Sequence, residues 1–176
     1  MLGVPARLNE IKEICDKKNI ALIEDTAWGC GGSLNEKKLG TFGCIGTYSF
    51  DFAKTMTTGE GGMLVCNDKQ VYENASAWHD HGHENNPNLP RWEDSRSSSG
   101  FNFRMTEMQG AIGIAQLKKL DYIVKMQRQN EQLIFNEINH LPIKMREIPN
   151  NSYQTSDALI FFTRTPNEAL LCRKSI

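Results

Sequence analysis

The sequence predicts an α/β fold in which helices flank a sheet. Segments with helical and strand-like patterns alternate along the chain, which is typical of layered α/β architectures. One short apolar run, Ile20 to Ile23, ends abruptly in two acidic residues. A buried parallel strand has this pattern where its carboxyl end opens onto a site. The 176 residues include 39% hydrophobic and 23% charged side chains, a globular composition that is long enough to bury a core.

The first elements follow from local patterns. Apolar residues from Leu8 to Cys15 recur at helical spacing, and Asn19 is a typical residue at a helix end. The apolar run at 20–23 is the first predicted strand. Six glycines between Gly29 and Gly46 then predict turns and short edge structure.

The middle of the chain predicts two further strands and a helix. Strand patterns cover Ile45 to Phe50 and Met63 to Cys66, and the polar loop Lys54 to Gly62 separates them. An Asn-Asp pair at 67–68 can cap a helix that runs to about His79.

The last part of the chain predicts a loop, a long helix and a short tail. The polar segment Glu84 to Ser99 contains two prolines and predicts a long loop, where substrate contact or disorder is expected. A capping-box signature at 106–109 begins a helical pattern that we expect to run to about Ile138. The tail adds a strand pattern at 158–162 and a helix pattern at 166–174.

Charge and cysteine content exclude several classes of function. A formal net charge of -1 at pH 7 gives no electrostatic reason to expect nucleic acid or an anionic membrane as a partner. No apolar run approaches the ~20 residues of a membrane span. The five cysteines are odd in number and include no C-x-x-C pair, which argues against a disulfide framework and a finger-type zinc site. We therefore expect a reducing, cytoplasmic location.

The residues around Lys54 carry the clearest chemistry. This lysine follows a strand in a loop rich in Ser, Thr and Gly, where an apolar strand end can make an amine a usable nucleophile; a solvated loop lysine is the alternative. Asp25 lies at the end of the preceding strand. Burying its carboxylate there costs free energy unless a cationic group pairs with it. Ser49, Thr57, Thr58 and loop N–H groups could hold a phosphate. A carboxylate, a lysine and a phosphate cradle are the parts of a pyridoxal 5'-phosphate (PLP) site.

Five motifs occur in order along the chain. They are I-E-D-T-A at 23–27, K-L-G-T-F-G at 38–43, S-F-x-x-x-K-x-x-T-T-G-E-G-G at 49–62, H-D-H-G at 79–82 and G-F-N-F-R-M-T-E at 100–107. Together they resemble the DegT/DnrJ/StrS-type sugar aminotransferases, which have fold type I of the PLP enzymes. The similarity runs from about Gly3 to about Leu141 and is weaker beyond.

The resemblance implies an internal part of a longer two-domain enzyme. Residues 1–105 would be the C-terminal part of the PLP-binding large domain, with a mixed, mostly parallel sheet and flanking helices. Residues 106–140 would be a long connecting helix, and residues 141–176 would begin a small α+β domain. Fold type I enzymes place more structure before the Asp25 strand than the single helix found here, so we expect a truncated chain.

The resemblance also implies roles for the site residues. Lys54 would be the Schiff-base lysine and general acid/base, Asp25 would pair with the pyridinium nitrogen, and Ser49 would bind the cofactor phosphate. Asn102 would reach the phosphate in the partner subunit, because these sites lie at a homodimer interface. Trp28 stands where many relatives have a Gln or His that contacts the cofactor's ring oxygen. It either lies over the cofactor or sugar, or packs as an ordinary aromatic residue.

Two further residues are candidates for substrate contact. Arg104 would either stabilise its own loop or meet the carboxylate of the amino donor. His83, with the loop that leads to Trp92, would touch the substrate. Because His79 and His81 lead from a helix into this loop, we favour a structural bend at the rim of the site over a metal site.

The implied function is transfer of an amino group from an amino acid, expected to be glutamate, to a keto sugar. Nucleotide-linked keto sugars are the usual family substrates, and the loop His81 to Pro87 resembles a subgroup that acts on a keto-octulosonate sugar of lipopolysaccharide. A sugar dehydratase of the same superfamily, in which histidine replaces the lysine, is a second hypothesis. A catalytically incomplete chain with only an interaction role is the third.

Overall fold

The computed structural model describes residues 2–175. The helices are α1 (Leu8–Lys17), α2 (Lys69–His79), α3 (Glu107–Leu117), α4 (Leu120–Ile138) and α5 (Pro166–Ser175). The strands are β1 (Ile23–Asp25), β2 (Ser33–Leu34), β3 (Lys37–Lys38), β4 (Ile45–Ser49), β5 (Gly62–Cys66), β6 (Lys144–Met145), β7 (Ser152–Tyr153) and β8 (Phe161–Phe162). The predicted alternation of helices and strands is wrong: β1–β5 follow α1 in one block, α2–α4 follow in a second, and β6–β8 precede α5. The mixed α/β class holds.

The main sheet has the order β1-β4-β5. Strand β1 runs parallel to β4, with Asp25 opposite Thr47, and β4 runs antiparallel to β5, with Ser49 opposite Gly62. The sheet is therefore mixed. Two smaller sheets accompany it: the β2–β3 hairpin extended by β7, and the pair β6–β8.

The core consists of two groups of buried side chains. One group lies between α1 and the glycine-rich stretch and contains Leu8, Leu34, Leu39 and Phe42. The other joins the loop after β4 to helix α4 and contains Phe50, Met56, Leu120 and Val124. The second group fixes the loop that carries Lys54 to the scaffold, because Phe50 and Met56 lie on either side of the lysine in the sequence.

The first strand begins later than the apolar run predicts. The prediction of a strand at Ile20 to Ile23 is wrong, because β1 covers Ile23–Asp25 and includes the acidic pair. The backbone N–H of Ile20 still bonds to the carbonyl of Cys15 at the end of α1. Pairing with β4 starts only at Ile23, and both Ile20 and Ile23 are exposed.

The predicted single helix to Ile138 is also wrong, because two helices occupy this segment. The capping box at its start is confirmed: Thr106 and Gln109 bond reciprocally at the beginning of α3. The break falls at residues 118–119, where the Lys119 N–H bonds to the Gln116 carbonyl, three residues back. This tighter turn lets α4 bury Leu120 and Val124 against the loop after β4.

The remaining elements agree in part with the sequence. Helix α2 ends at His79 as predicted, and its N-cap Asp68 accepts a hydrogen bond from the Val71 N–H. The tail strand covers only Phe161–Phe162, less than the predicted 158–162. Within residues 2–175, no helix has both the length and the apolar character to cross a membrane.

Candidate active site

The predicted cofactor residues lie along one edge of the main sheet. Because β1 and β4 are parallel, their carboxyl ends open on the same side, where α/β proteins bind ligands. Asp25 is the last residue of β1 and Ser49 is the last residue of β4. The loop that carries Lys54 begins directly after Ser49. Sheet topology therefore gives Asp25, Ser49 and Lys54 a common edge.

The lysine loop, residues 50–61, is held at both ends by backbone hydrogen bonds. The Phe50 N–H donates to the Gly61 carbonyl at 2.8 Å, and the Thr58 N–H donates to the Phe50 carbonyl at 2.9 Å. The Lys54 N–H donates to the Asp51 carbonyl at 3.1 Å. These contacts close the loop on itself, so the position of Lys54 is set by the sheet and by α4.

The amine of Lys54 lies on the face of Trp28. Its Nζ is 3.7 Å from the ring centroid, close enough for a cation–π interaction. In the described part of the chain, no carboxylate lies within ion-pair distance of this Nζ. The sequence left the place of Trp28 open, and the structure puts its ring beside the lysine. A contact of Trp28 with a cofactor stays a prediction.

Asp25 is exposed, so the expectation of a buried carboxylate at this strand end is wrong for this residue. One of its oxygens accepts a hydrogen bond from the Ala27 N–H at 3.1 Å. Asp25 ends the strand and points out of the sheet's interior because side chains alternate along a strand, and its neighbour Glu24 takes the inward position.

Glu24 is the buried carboxylate of this strand, with 4% of its surface exposed. It accepts backbone hydrogen bonds from Gly40 at 2.8 Å, from Gly43 at 2.7 Å, and from Phe42. The K-L-G-T-F-G motif thus folds around the carboxylate of the I-E-D-T-A motif. Sequence reasoning assigned no role to Glu24, although a carboxylate beside an apolar run was a signal that it needs donors.

Tyr48 supports the same loop from the neighbouring strand. Its hydroxyl donates to the Leu39 carbonyl at 2.6 Å, and burial raises the pKa of this phenol. Gly40 has a φ of +86°, and a Cβ there would lie 2.4 Å from the Tyr48 hydroxyl oxygen. The motif therefore requires glycine at this position for both conformation and space.

Two of the three hydroxyls predicted to hold a phosphate are used inside the lysine loop. Thr57 donates to the Phe50 carbonyl at 3.2 Å, and Thr58 donates to the Glu60 carbonyl at 2.7 Å. The Ser49 hydroxyl only accepts a long hydrogen bond, 3.4 Å, from the Asp51 N–H. Ser49 therefore has the hydroxyl proton that is free to meet an anion, whereas Thr57 and Thr58 shape the loop.

Asn102 and Arg104 belong to a cluster around the buried carboxylate of Asp80. Two nitrogens of Arg91 contact Asp80 at 2.5 and 2.6 Å, and Arg104 lies 3.3 Å from it. The hydrogen bonds from Arg91 hold the pKa of Asp80 below its usual value. Arg104 also donates to the Asn102 side-chain oxygen at 3.0 Å. In the structure, Arg104 thus stabilises its own loop; a contact with the amino donor stays a prediction.

The segment Glu84 to Ser99 forms a loop that is held by internal hydrogen bonds. Asp94 accepts backbone hydrogen bonds from Asn85 at 2.9 Å and Asn86 at 3.1 Å. Burial raises the pKa of Asp94, but the hydrogen bonds from these two N–H groups lower it by more. The pKa of Asp94 is therefore below its usual value. His83 is 7% exposed, and its Nδ1 lies 3.2 Å from Asp94. The ring is therefore engaged within the loop, and its substrate contact stays a prediction.

Comparison with known proteins agrees with the motifs. A sequence model described as the DegT/DnrJ/EryC1/StrS aminotransferase family matches residues 1–175. The chain belongs to this family. It is 34% identical over 168 residues to GDP-perosamine synthase of Escherichia coli O157:H7, covering 96% of this chain and 44% of that protein. It is 33% identical over 156 residues to GDP-4-keto-6-deoxy-D-mannose 3-dehydratase of Escherichia coli O55:H7, covering 81% and 40%.

A solved structure confirms the predicted fold class. The E. coli GDP-4-keto-6-deoxy-D-mannose-3-dehydratase with bound hydrated PLP matches with a TM-score of 0.86 and 27% identity. The match covers 99% of this chain and 49% of that one. This family member therefore spans about half the length of the relatives it matches.

Proposed function

We propose that the chain is part of a PLP-dependent aminotransferase that moves an amino group from an amino acid to a keto sugar. The observation that carries the proposal is Lys54, a lysine in a closed loop at the carboxyl edge of the sheet, with its amine on an indole face. Family membership over residues 1–175 supports the same chemistry.

The residues at this edge fit PLP. Ser49 offers a free hydroxyl to a phosphate, and Asp25 offers an exposed carboxylate to a ring nitrogen. When bound, PLP supplies an electron sink for the carbon that carries the amino group. Lys54 would attach the cofactor through Nζ and then move the proton, Asp25 would keep the ring nitrogen protonated, and Ser49 would donate to the phosphate. The face of Trp28 would hold the ammonium of Lys54 whenever it is free.

The substrate proposal is a keto sugar with glutamate as the amino donor. The names of the relatives, which refer to GDP-linked sugars, favour a nucleotide-linked substrate. The resemblance of the loop His81 to Pro87 favours a keto-octulosonate of lipopolysaccharide. Incubation of the protein with PLP, glutamate and each sugar class, followed by mass spectrometry of the aminated product, separates the two.

A sugar dehydratase is the second candidate, because relatives of nearly equal identity carry that name. The resemblance places histidine at the lysine position in that branch, so Lys54 favours amine transfer. Product analysis decides: a deoxygenated sugar without a new amine would favour the dehydratase over the aminotransferase.

We also propose that the protein acts as a cytoplasmic homodimer in which Asn102 reaches the partner's site. Asn102 is exposed, and Trp78, Phe101 and Phe103 beside it form an exposed aromatic cluster with ring centroids 5.0 to 5.7 Å apart. Such a patch is typical of a protein interface. The five cysteines are free, which suits a reducing compartment. Analytical ultracentrifugation of the wild-type protein and of Phe101→Glu tests the dimer.

The domain division of the sequence analysis is part of this proposal, with residues 141–176 beginning the small domain. In the structure this part is joined to the rest of the chain by the pairing of β7 with β2. Limited proteolysis near residue 140 would test whether the two parts separate.

Titration with PLP tests the central assignment. The wild-type protein should develop a visible absorbance band, and borohydride reduction followed by peptide mapping should place the label on Lys54. Lys54→Ala should lose both signals. Lys125→Ala, a change at an exposed lysine on α4, should keep them. An unchanged band in Lys54→Ala would contradict the proposal.

A further inference from the structure

A short buried segment after β7, Gln154–Asp157, contacts Thr55, the residue next to Lys54, and the backbone of Trp28. We call these four residues the clasp. The carboxylate of Asp157 accepts a hydrogen bond from the hydroxyl of Thr55, the residue that follows Lys54, at 2.5 Å. The hydroxyl oxygen of Thr155, which has no exposed surface, lies 3.2 Å from the Trp28 carbonyl oxygen. The clasp thus holds the lysine loop by a hydrogen bond and lies against the tryptophan turn.

Asp157 collects donors from three parts of the chain. Besides Thr55, it accepts from the Thr155 hydroxyl at 2.5 Å and from the Gln127 side chain of α4 at 3.3 Å. The N-terminal segment closes the other side, since a Cβ at Gly3 would lie 2.9 Å from a carboxylate oxygen of Asp157. A charge in such surroundings is stabilised only when its donors are in place, so their geometry is strongly constrained.

The backbone before Asp157 is held in an unfavourable conformation. Ser156 has a φ of +59°, in the left-handed region that non-glycine residues avoid. Its hydroxyl bonds to Glu131 of α4 at 2.6 Å, and the side chain of Gln154 bonds to the same carboxylate at 2.7 and 2.9 Å. Strained residues persist where the surrounding contacts over-determine them, and they concentrate at functional sites. Here the contacts of Gln154 and Ser156 with Glu131 hold the backbone next to Asp157.

We propose that Asp157 is a positioning residue for Lys54, because it fixes the lysine loop through its hydrogen bond from Thr55. This keeps the amine over the indole ring. The catalytic meaning of the inference rests on the proposed function, whereas its geometry does not. Asp157 lies 102 residues after Thr55, in the tail where the motifs no longer guide assignment.

The matched variants are Thr55→Val, which removes the hydroxyl at nearly constant shape, and Thr55→Ser, which keeps it. Asp157→Asn removes the charge at constant size and serves as a second variant if Thr55→Val does not fold. Glu137→Gln is the control, because Glu137 is exposed on α4 and lies outside the clasp. Circular dichroism establishes that each variant is folded.

The first measurement is NMR of the full chain with ¹³C-methylated lysines. The ring current of Trp28 should shift the Lys54 signal upfield from those of exposed lysines, and Trp28→Leu identifies this signal by abolishing the shift. Thr55→Val and Asp157→Asn should return the signal toward the exposed position. Thr55→Ser and Glu137→Gln should keep it. A purely structural role of Asp157 would lower stability without this pattern.

The second measurement is PLP affinity by the same absorbance titration. Thr55→Val and Asp157→Asn should weaken binding on the order of tenfold, the effect of one charge-assisted hydrogen bond, and Thr55→Ser should not. If the Lys54 signal is unshifted in the wild type, or identical in wild type, Thr55→Val and Asp157→Asn, the positioning role is overturned. If the wild type binds no PLP but the NMR pattern appears, the proposed function fails and the positioning role stands.

Discussion

Replacing Glu24 with glutamine would show how far the loop at 39–43 depends on a single buried charge. Glutamine has nearly the same shape as glutamate, so the substitution changes hydrogen bonding without leaving a cavity. One oxygen of Glu24 accepts from Phe42 and Gly43, and the other accepts from Gly40. If the glutamine oxygen accepts the hydrogen bonds from Phe42 and Gly43, its NH₂ group faces the Gly40 N–H. Two donors are then opposite each other, and the Gly40 N–H loses its acceptor.

The expected loss follows from these three contacts. A buried N–H group left without an acceptor costs about 1–3 kcal/mol. The two remaining hydrogen bonds become neutral and lose part of their strength, because charge-assisted bonds are roughly twice as strong. We expect Glu24→Gln to lower the free energy of unfolding by about 2–3 kcal/mol in total. In a chain of this length, that corresponds to a Tm lower by roughly 4–12 °C.

Thermal and urea unfolding monitored by circular dichroism measure this loss. Glu24→Ala should be less stable than Glu24→Gln, because it removes every acceptor and leaves a cavity. Glu137→Gln, on the exposed surface of α4, is the control and should match the wild type. A Tm of Glu24→Gln within a degree or so of the wild type would refute the reasoning, since the three donors would then have found other acceptors.

Two further predictions concern Asp80 and the glycines of α3. The pKa of Asp80 is lowered in the folded protein, so its stabilising effect is fully present above the ordinary value of 3.8 and is lost as the pH falls through the lower folded value. Urea unfolding at several pH values should therefore show Asp80→Asn less stable than wild type near neutral pH and equal to it in strong acid; a constant difference would contradict this. Gly110→Ala should stabilise the chain by about 0.5–1 kcal/mol, because a Cβ there meets nothing within 4 Å. Gly113→Ala should increase the free energy of unfolding by less in the same urea assay, since its Cβ would lie 3.2 Å from the Thr58 side chain. An equal increase would show that the loop around Thr58 moves without cost.

Local sequence patterns were sufficient to predict the features that depend on residues close together in the chain. The cap of α2, its end at His79 and the capping box of α3 depend on residues within four positions of each other. The motif around Lys54 could be found in the sequence because the loop closes on its own backbone.

The boundaries and burial that were predicted wrongly depend on partners far along the chain. The apolar run at 20–23 is a good strand by composition, but β1 begins where β4 can pair with it. The helix expected to reach Ile138 without interruption breaks at 118–119, where α4 turns toward a core shared with Phe50 and Met56. Burial of Glu24 rather than Asp25 was decided by which face of β1 meets the loop at 39–43.

The sequence by itself determined the α/β class, the family, and the lysine, carboxylate and serine proposed for the cofactor. These depend on residue types within short motifs, at the end of β1 for Asp25 and at the end of β4 and in its following loop for Ser49 and Lys54. Only the tertiary structure decided that Trp28 lies under the Lys54 amine, that Arg104 and His83 are engaged within their own loops, and that Asp157 reaches Thr55. The physical reason is that these contacts join segments whose separation in sequence carries no periodicity, so they exist only once the sheet, α4 and the tail have packed together.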